Sequence, residues 1–309
     1  MILCCGEALI DMIPEPTVAG GEGFVPHVGG AVFNTAVGLG RLGAQVGLLS
    51  GVSTDQFGAR LETRLRESHV DTSALVRSAR PTTMAFVQLQ DGHASYTFYD
   101  ENTAGRMMAS ADVAPIGEEV EALFFGGISL AVEPCANAYA DVLQREGATR
   151  AVMIDPNIRP GFIRDVSRYR ARLDLMFAQA DVVKVSDEDL GWLMPEVEGL
   201  EARAQKLLQK GPAFVIVTCG SKGAQGFLAS GEQVAVPAQP ATVVDTVGAG
   251  DTFNSGVLAR LSELGLLRKD CIGSLSAEDA KDALLFGAKV AAVTVARAGA
   301  NPPWARELA

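Results

Sequence analysis

The stretch Asp245-Thr246-Val247-Gly248-Ala249-Gly250-Asp251-Thr252-Phe253 joins a short β-branched run, 242–245, to an apolar-periodic run, 253–264. Glycines on either side of a small alanine let the backbone turn sharply and let a bulky ligand approach the main chain. At the start of a helix, the N–H groups of Gly248, Ala249 and Gly250 would form an anion site. Asp251 brings a negative charge to the same place. A carboxylate beside a bound anion is costly unless it has chemistry to perform, and taking a proton from an attacking hydroxyl is such chemistry. Asp is also a favoured N-cap residue, and Gly ahead of a helix is ordinary turn chemistry. The local residues therefore leave a structural role open beside the catalytic one.

With 309 residues, 48% of them hydrophobic, the chain is long enough for one large α/β domain or two smaller ones around a sizeable core. A formal net charge of −11 disfavours nucleic acid or an anionic membrane as a main partner. It leaves room for ATP, because a local glycine nest binds phosphate inside an acidic protein. Cys4, Cys5, Cys135, Cys219 and Cys271 are odd in number and form no Cys-x-x-Cys pair. They read as reduced thiols of a cytoplasmic protein. Cys4 and Cys5, adjacent in an expected strand, should face opposite sides. His27, His69 and His93 lack partners at metal-ligand spacing and read as surface or loop residues. The opening Met1-Ile-Leu-Cys-Cys-Gly6 has no basic region, so no signal peptide is expected, and no apolar run reaches bilayer length.

Outward from the central loop, strands are expected at 2–5, 45–52, 123–127, 151–155, 181–185 and 213–218. Helices are expected at 31–42, stopped by Gly43, and at 55–68, 134–146 and 277–296. This alternation reads as βα units and a parallel sheet. Two segments break the rhythm. Residues 12–28 carry Pro14, Pro16, Gly20, Gly21, Gly23 and Pro26 and read as an excursion from the core. Residues 82–90 and 94–100 alternate with period two around Asp91-Gly92-His93, a hairpin signal. Gly38-Leu-Gly40-Arg-Leu-Gly43 matches a dinucleotide fingerprint in spacing only. It closes a helix and precedes a strand, the reverse of what such a site needs, so a dehydrogenase is set aside.

The stretch 245–253 resembles the C-terminal motif of the ribokinase-like (PfkB) family of carbohydrate kinases, and Gly29-Gly30-Ala31-Val32-Phe33-Asn34 resembles its N-terminal motif. The resemblance covers essentially the whole chain. It implies an α/β fold with a ribokinase-like three-layer α/β/α core, a mostly parallel sheet and a small β lid. The kinase core would comprise 1–11, 29–81 and 107–309, and the lid 12–28 and 82–106. Asp100-Glu-Asn-Thr-Ala-Gly105-Arg106 is similar to the equivalent stretch of fructokinases. Asp155-Pro-Asn-Ile-Arg159 is similar to fructokinases and 2-keto-3-deoxygluconate kinases alike. The implied activity is transfer of the ATP γ-phosphoryl group to a primary hydroxyl of fructose. A 2-keto-3-deoxygluconate kinase is the nearest rival, with other sugar or nucleoside kinases behind it. From a different class, a non-catalytic sugar or nucleotide sensor remains, against which the intact Asp251 argues.

The resemblance also implies roles. Asp251 would be the general base and the Gly248, Ala249 and Gly250 N–H groups the anion hole. Asp11, Gly29, Gly30 and Asn34 would hold the sugar, and Arg159 would contact phosphate or a substrate oxygen. Taken alone, Asp11 also reads as a turn carboxylate, Asn34 as a polar residue near a helix start and Arg159 as a solvated loop residue. Lys184 and the turn carrying Thr218, Gly220, Ser221 and Gly223 would line the nucleotide, with Lys222 in solvent and Asn301 near the adenine. Asp245, Val247, Thr294, Arg297 and Gly299 match positions that hold a monovalent cation, making K⁺ a candidate cofactor. Pro303 stands where a side-chain oxygen is often added. Mg²⁺ would bridge the ATP phosphates. Where the family often has Asn-x-x-Glu near that ion, this chain has Ser186 and Asp189. Their spacing also suits a helix capping box, so metal and capping roles both stay open. Lid closure would exclude water. The expected partners are sugar and ATP, with a homodimer formed through the lid.

Overall fold

Cys4 and Cys5 do separate, and the division between them runs through the whole molecule. Cys4 belongs to an apolar cluster with Phe33, Leu48 and Leu258, and Cys5 to another with Phe125, Tyr139 and Val183. A sheet lies between the two. The computed structural model describes residues 1–90 and 93–308.

The first elements in chain order are β1 (Ile2–Cys5), β2 (Leu9–Pro16), β3 (Glu22–Gly29), α1 (Ala31–Arg41), β4 (Val46–Leu49), β5 (Gly51–Ser53) and α2 (Gln56–Glu67). They continue with β6 (Val70–Asp71), β7 (Val76–Ser78), β8 (Met84–Gln90), β9 (His93–Tyr99), β10 (Ala122–Gly126), α3 (Cys135–Glu146) and β11 (Ala151–Asp155). Then come α4 (Val166–Phe177), β12 (Val182–Ser186), α5 (Asp187–Leu193), α6 (Leu200–Leu208), β13 (Phe214–Thr218), β14 (Ala224–Leu228) and β15 (Gln233–Val236). The last two are α7 (Ala249–Glu263) and α8 (Ala277–Val295).

The large sheet has the order β15-β14-β13-β12-β11-β10-β1-β4-β6. Its ladders are parallel from β6 to β13, and the β13–β14 and β14–β15 ladders are antiparallel, so β14 alone of the sheet's described strands runs against the rest. β1 and β10 to β13 are apolar along most of their length because helices cover both faces of a parallel sheet. Leu39, Leu48 and Phe33 are fully buried on one side and Phe125, Tyr139 and Phe177 on the other. Each such side chain contributes about 1.5–3 kcal/mol by leaving water. Helices α1, α7 and α8 pack successively on one face, with α3 to α6 on the other.

The two excursions meet. A separate four-stranded sheet, β3-β2-β8-β9, forms from them, with β2 and β8 parallel through Ile10 and Met84. Alternation along these strands puts Asp11, Tyr96 and Phe98 on one face and Met12, Phe24, Phe86 and Tyr99 on the other. β8 and β9 pair as a hairpin, while its expected turn residues Asp91 and Gly92 lie outside the described residues.

Several sequence expectations need correction. The expected strand 45–52 is two strands, because the chain leaves the large sheet at Ser50 and β5 pairs with β7 in a small sheet of its own. Apart from these expectations, the β-branched run 242–245 lies outside any strand. Its backbone instead docks on the end of α8, where Val244 and Asp245 N–H donate to the Val295 carbonyl. The strand β2 begins at Leu9, so Asp11 lies within the second sheet.

Candidate active site

Gly248 starts α7 with φ 77° and ψ 2°, a left-handed conformation that glycine adopts without strain. A Cβ there would lie 2.6 Å from the Ala300 Cβ. Ala249, Gly250 and Asp251 follow as the first three helical residues, so Asp251 is not the N-cap. The Ala249 N–H reaches back to the Thr246 carbonyl at 3.3 Å. The Gly250 and Asp251 N–H groups have no intrahelical partner by position, and they make this end of α7 attractive to an anion.

Asp251 is buried, 8% exposed, and its carboxylate accepts a 2.9 Å hydrogen bond from Asn34 Nδ2 in the first turns of α1. The two helices are joined again one turn on. Ser255 Oγ donates to the carbonyls of Thr35 and Asp251, and Thr35 Oγ1 to those of Ala31 and Asp251. Burial pushes the Asp251 carboxyl up to about 7. The Asn34 hydrogen bond works against this, and the nearby Asp155 charge adds to it.

A cavity of about 250 Å³ opens in front of Asp251. Its walls bring together Asp11, Gly30, Asn34, Arg159, Lys184 and Val247 with the 248–251 loop. Asp11 enters from the lid, its carboxyl raised to about 6 by burial and by the neighbouring Glu7. Gly29 ends β3 beside it. Arg159 is exposed at the rim, held to Asn157 Oδ1 at 2.7 Å. Tyr96 and Phe98 close the cavity from the lid, and Phe98 packs at a tilt of 56° against Phe162 with centroids 4.8 Å apart.

Lys184 is buried on β12 and donates to Asp155 Oδ2 at 2.9 Å. Its Nζ lies 3.2 Å from the position a Cβ on Gly250 would occupy, so the ammonium adjoins the anion loop. Asn254, one turn into α7, donates to the same Asp155 oxygen at 2.7 Å. Sequence reasoning found Lys184 but missed Asp155, Asn254 and Glu7. Asp155 carried a signal, an acid closing a buried strand at the ligand-binding end of an α/β sheet.

On the next strand, the turn after β13 places Thr218, Gly220, Ser221 and Gly223 beside the chain at Val236, Pro237 and Ala238. A groove of about 770 Å³ lies between Gln239, Pro240 and Ala241 and the Leu285, Phe286 and Lys289 face of α8. Lys222 is exposed, as expected. Asn301 does not join this group. Its Oδ1 accepts from Arg41 Nη1 on α1 at 2.7 Å, and it lines a different cleft with His27 and Arg60. The structure thus sets Asn301 apart from the 218–223 turn.

Asp245 ties two loops, accepting from Val247 N–H at 3.0 Å and from Gly299 N–H at 2.8 Å. Of the five residues matched to a monovalent cation, these three converge. The Thr294 hydroxyl turns to Val290 and the Arg297 guanidinium to Glu307. Ser186 caps α5, its Oγ accepting from Asp189 N–H at 2.9 Å. Burial and the Asp155 charge raise the Asp189 carboxyl to about 6. Among the described residues no group of three or more His, Cys, Asp or Glu side chains is placed to hold a metal ion.

The family model for pfkB family carbohydrate kinases matches residues 1–306. A fructokinase of Rhizobium leguminosarum bv. trifolii is 49% identical over 275 residues, 89% of this chain and 84% of that protein. A fructokinase from Xylella fastidiosa with bound ATP has a TM-score of 0.87 at 28% identity, over 99% of this chain and 97% of that one. A double mutant of the Vibrio cholerae O395 fructokinase, in a form with fructose, ADP and potassium ion, has a TM-score of 0.84 at 26% identity. That match covers 97% of this chain and 93% of the other.

Proposed function

The chain belongs to the pfkB family of carbohydrate kinases, and from that premise we propose that it transfers the γ-phosphoryl group of ATP to a primary hydroxyl of fructose. It is a phosphotransferase acting on a sugar hydroxyl. The observation that carries the assignment of roles is the shared cavity, where the buried Asp251 carboxylate faces the same space as the helix-end N–H groups.

With both substrates bound, Asp251 takes the proton of the acceptor hydroxyl, whose oxygen forms the new bond to phosphorus while the bond to the ADP oxygen breaks. The 248–251 backbone and Lys184 stabilise the charge on the transferring group. Asp11 and Asn34 orient the sugar, and Tyr96 and Phe98 exclude water above it. The nucleotide runs from Lys184 past the Thr218–Gly223 turn, with its base in the α8 groove.

Mg²⁺, when bound, neutralises charge on the phosphate oxygens. Asp189, raised by burial and by the Asp155 charge, is the acid that would stand nearest to such an ion. Asp245, which ties the Val247 and Gly299 loops together, is the acid beside which a K⁺ ion would sit. The apolar outer face of the lid fits pairing with the lid of a second copy. Phe24 and Phe86 centroids lie 5.1 Å apart there, and Tyr99 is 61% exposed. The five free thiols suit the reducing cytoplasm.

The test is ADP release from Mg·ATP with K⁺ across fructose, 2-keto-3-deoxygluconate, ribose, glucose and adenosine, repeated with Asp251→Ala. Fructose should be preferred, and the variant should lose about 10²–10⁴-fold in turnover while still binding sugar. Preference for the keto acid would move the specificity and keep the mechanism. Near-normal turnover by folded Asp251→Ala would overturn the mechanism.

A further inference from the structure

Glu7 is a buried acid in the wall of the same cavity, and no step above uses it. It lies in the turn between β1 and β2, 8% exposed. Its Oε1 accepts the Ala31 N–H at 3.0 Å and its Oε2 the Ser129 N–H at 3.3 Å. One donor belongs to the start of α1 and the other to the turn after β10. The carboxyl is therefore fixed between two loops that both reach the cavity.

Gly127 shows that this space is reserved. It has φ 71°, and a Cβ there would lie 2.0 Å from Glu7 Oε1. Gly127 thus has no side chain of its own, and the adjoining Glu7 carboxyl fills that room in the cavity wall. A carboxylate suits two N–H donors on separate oxygens, and its two oxygens together can accept about four hydrogen bonds. The two backbone donors leave acceptor capacity on the carboxylate, and Glu7 lines the cavity. Burial raises the Glu7 carboxyl, against the pull of its hydrogen bonds.

We propose that Glu7 is an acceptor-contacting residue that reads a ring hydroxyl of the sugar, in the wall it shares with its neighbour Asp11. This rests on the reading of the cavity as the sugar site. Its consequence is selectivity. A site built to hydrogen-bond a hydroxyl rejects an analogue lacking that hydroxyl much more strongly than a merely apolar wall does. Glu7 and Asp11 together would account for two hydroxyls, leaving the reacting one to Asp251.

The experiment compares wild type with Glu7→Gln and Glu7→Asp, reading kcat and KM separately for fructose and for its single-deoxy analogues, with calorimetry of fructose and ATP binding. Both variants should raise the fructose KM about 10-fold or more, with kcat changed by less than about 3-fold and ATP affinity unchanged. One deoxyfructose should lose that amount with wild type and lose nothing further with Glu7→Gln. Folded variants with an unaltered fructose KM would overturn the proposal and leave the kinase assignment standing. A wild type that binds no sugar would overturn both. Should Glu7→Gln fail to fold, Glu7→Asp keeps the acid and withdraws it by one methylene. Should neither fold, wild type that tolerates loss of every ring hydroxyl equally overturns the proposal.

Discussion

Asn34 Nδ2 lies 2.9 Å from Asp251 Oδ2, linking helix starts 217 residues apart in the chain. The bond couples the N-terminal glycine motif to the C-terminal one, and it holds the base in place without supplying a positive charge.

Asp251 must be ionised to accept a proton. With its carboxyl raised to about 7, kcat/KM should climb as pH rises through that value. Asn34→Ala removes a hydrogen bond that favours the ionised form, so the rise should move to higher pH. The stability effect has the opposite sense. The raised value means that stability is fully present below 3.8 and is lost as pH rises through about 7. Asp251→Asn should therefore raise the thermal midpoint most above neutral pH. A pH–rate profile unchanged in Asn34→Ala would contradict this account.

Lys184→Met should both inactivate and destabilise. It strips the ammonium from the anion loop and leaves Asp155 buried with only Asn254 donating to its Oδ2. Breaking such a pair costs about 3–5 kcal/mol. Pairing it with Asp155→Leu should restore much of the denaturant midpoint and none of the turnover.

Gly248→Ala forces a left-handed residue with a side chain at about 1–2 kcal/mol and pushes its Cβ against Ala300. Turnover should fall further than stability, because the displaced backbone carries the anion donors. Kinetics and urea unfolding on one preparation separate the two effects.

Asp245→Ala frees the Gly299 loop from Val247. Activation by K⁺ over Li⁺ should weaken or vanish, with fructose affinity little changed. Retained K⁺ dependence would place the cation elsewhere.

Phe24→Glu puts a charge on the outer face of the lid, at a residue 41% exposed. Light scattering should show a dimer for wild type and a monomer for the variant, with the thermal midpoint nearly unchanged. A monomeric wild type would remove the lid-pairing proposal.

The central loop, the βα rhythm and the capping of α5 by Ser186 were legible in the chain because each depends on neighbours within a few residues. Period and turn chemistry carry that information directly. The assignments of Asp251, Asp11, Asn34 and Lys184 to one cavity followed from motif resemblance, and the structure supplies the distances. What no local pattern held is the meeting of remote segments. The lid exists because β2 pairs with β8 across more than sixty residues of chain. Asp155 gathers Lys184 and Asn254 from two other elements, and Glu7 is placed by donors on two separate loops. Asn301 is a further case, since Arg41, 260 residues away in the chain, holds its side chain. Backbone conformation is set by short-range sterics and hydrogen bonding, and so is written in the order of residues. Which buried charges meet is set by the packing of distant elements, and only the folded molecule decides it.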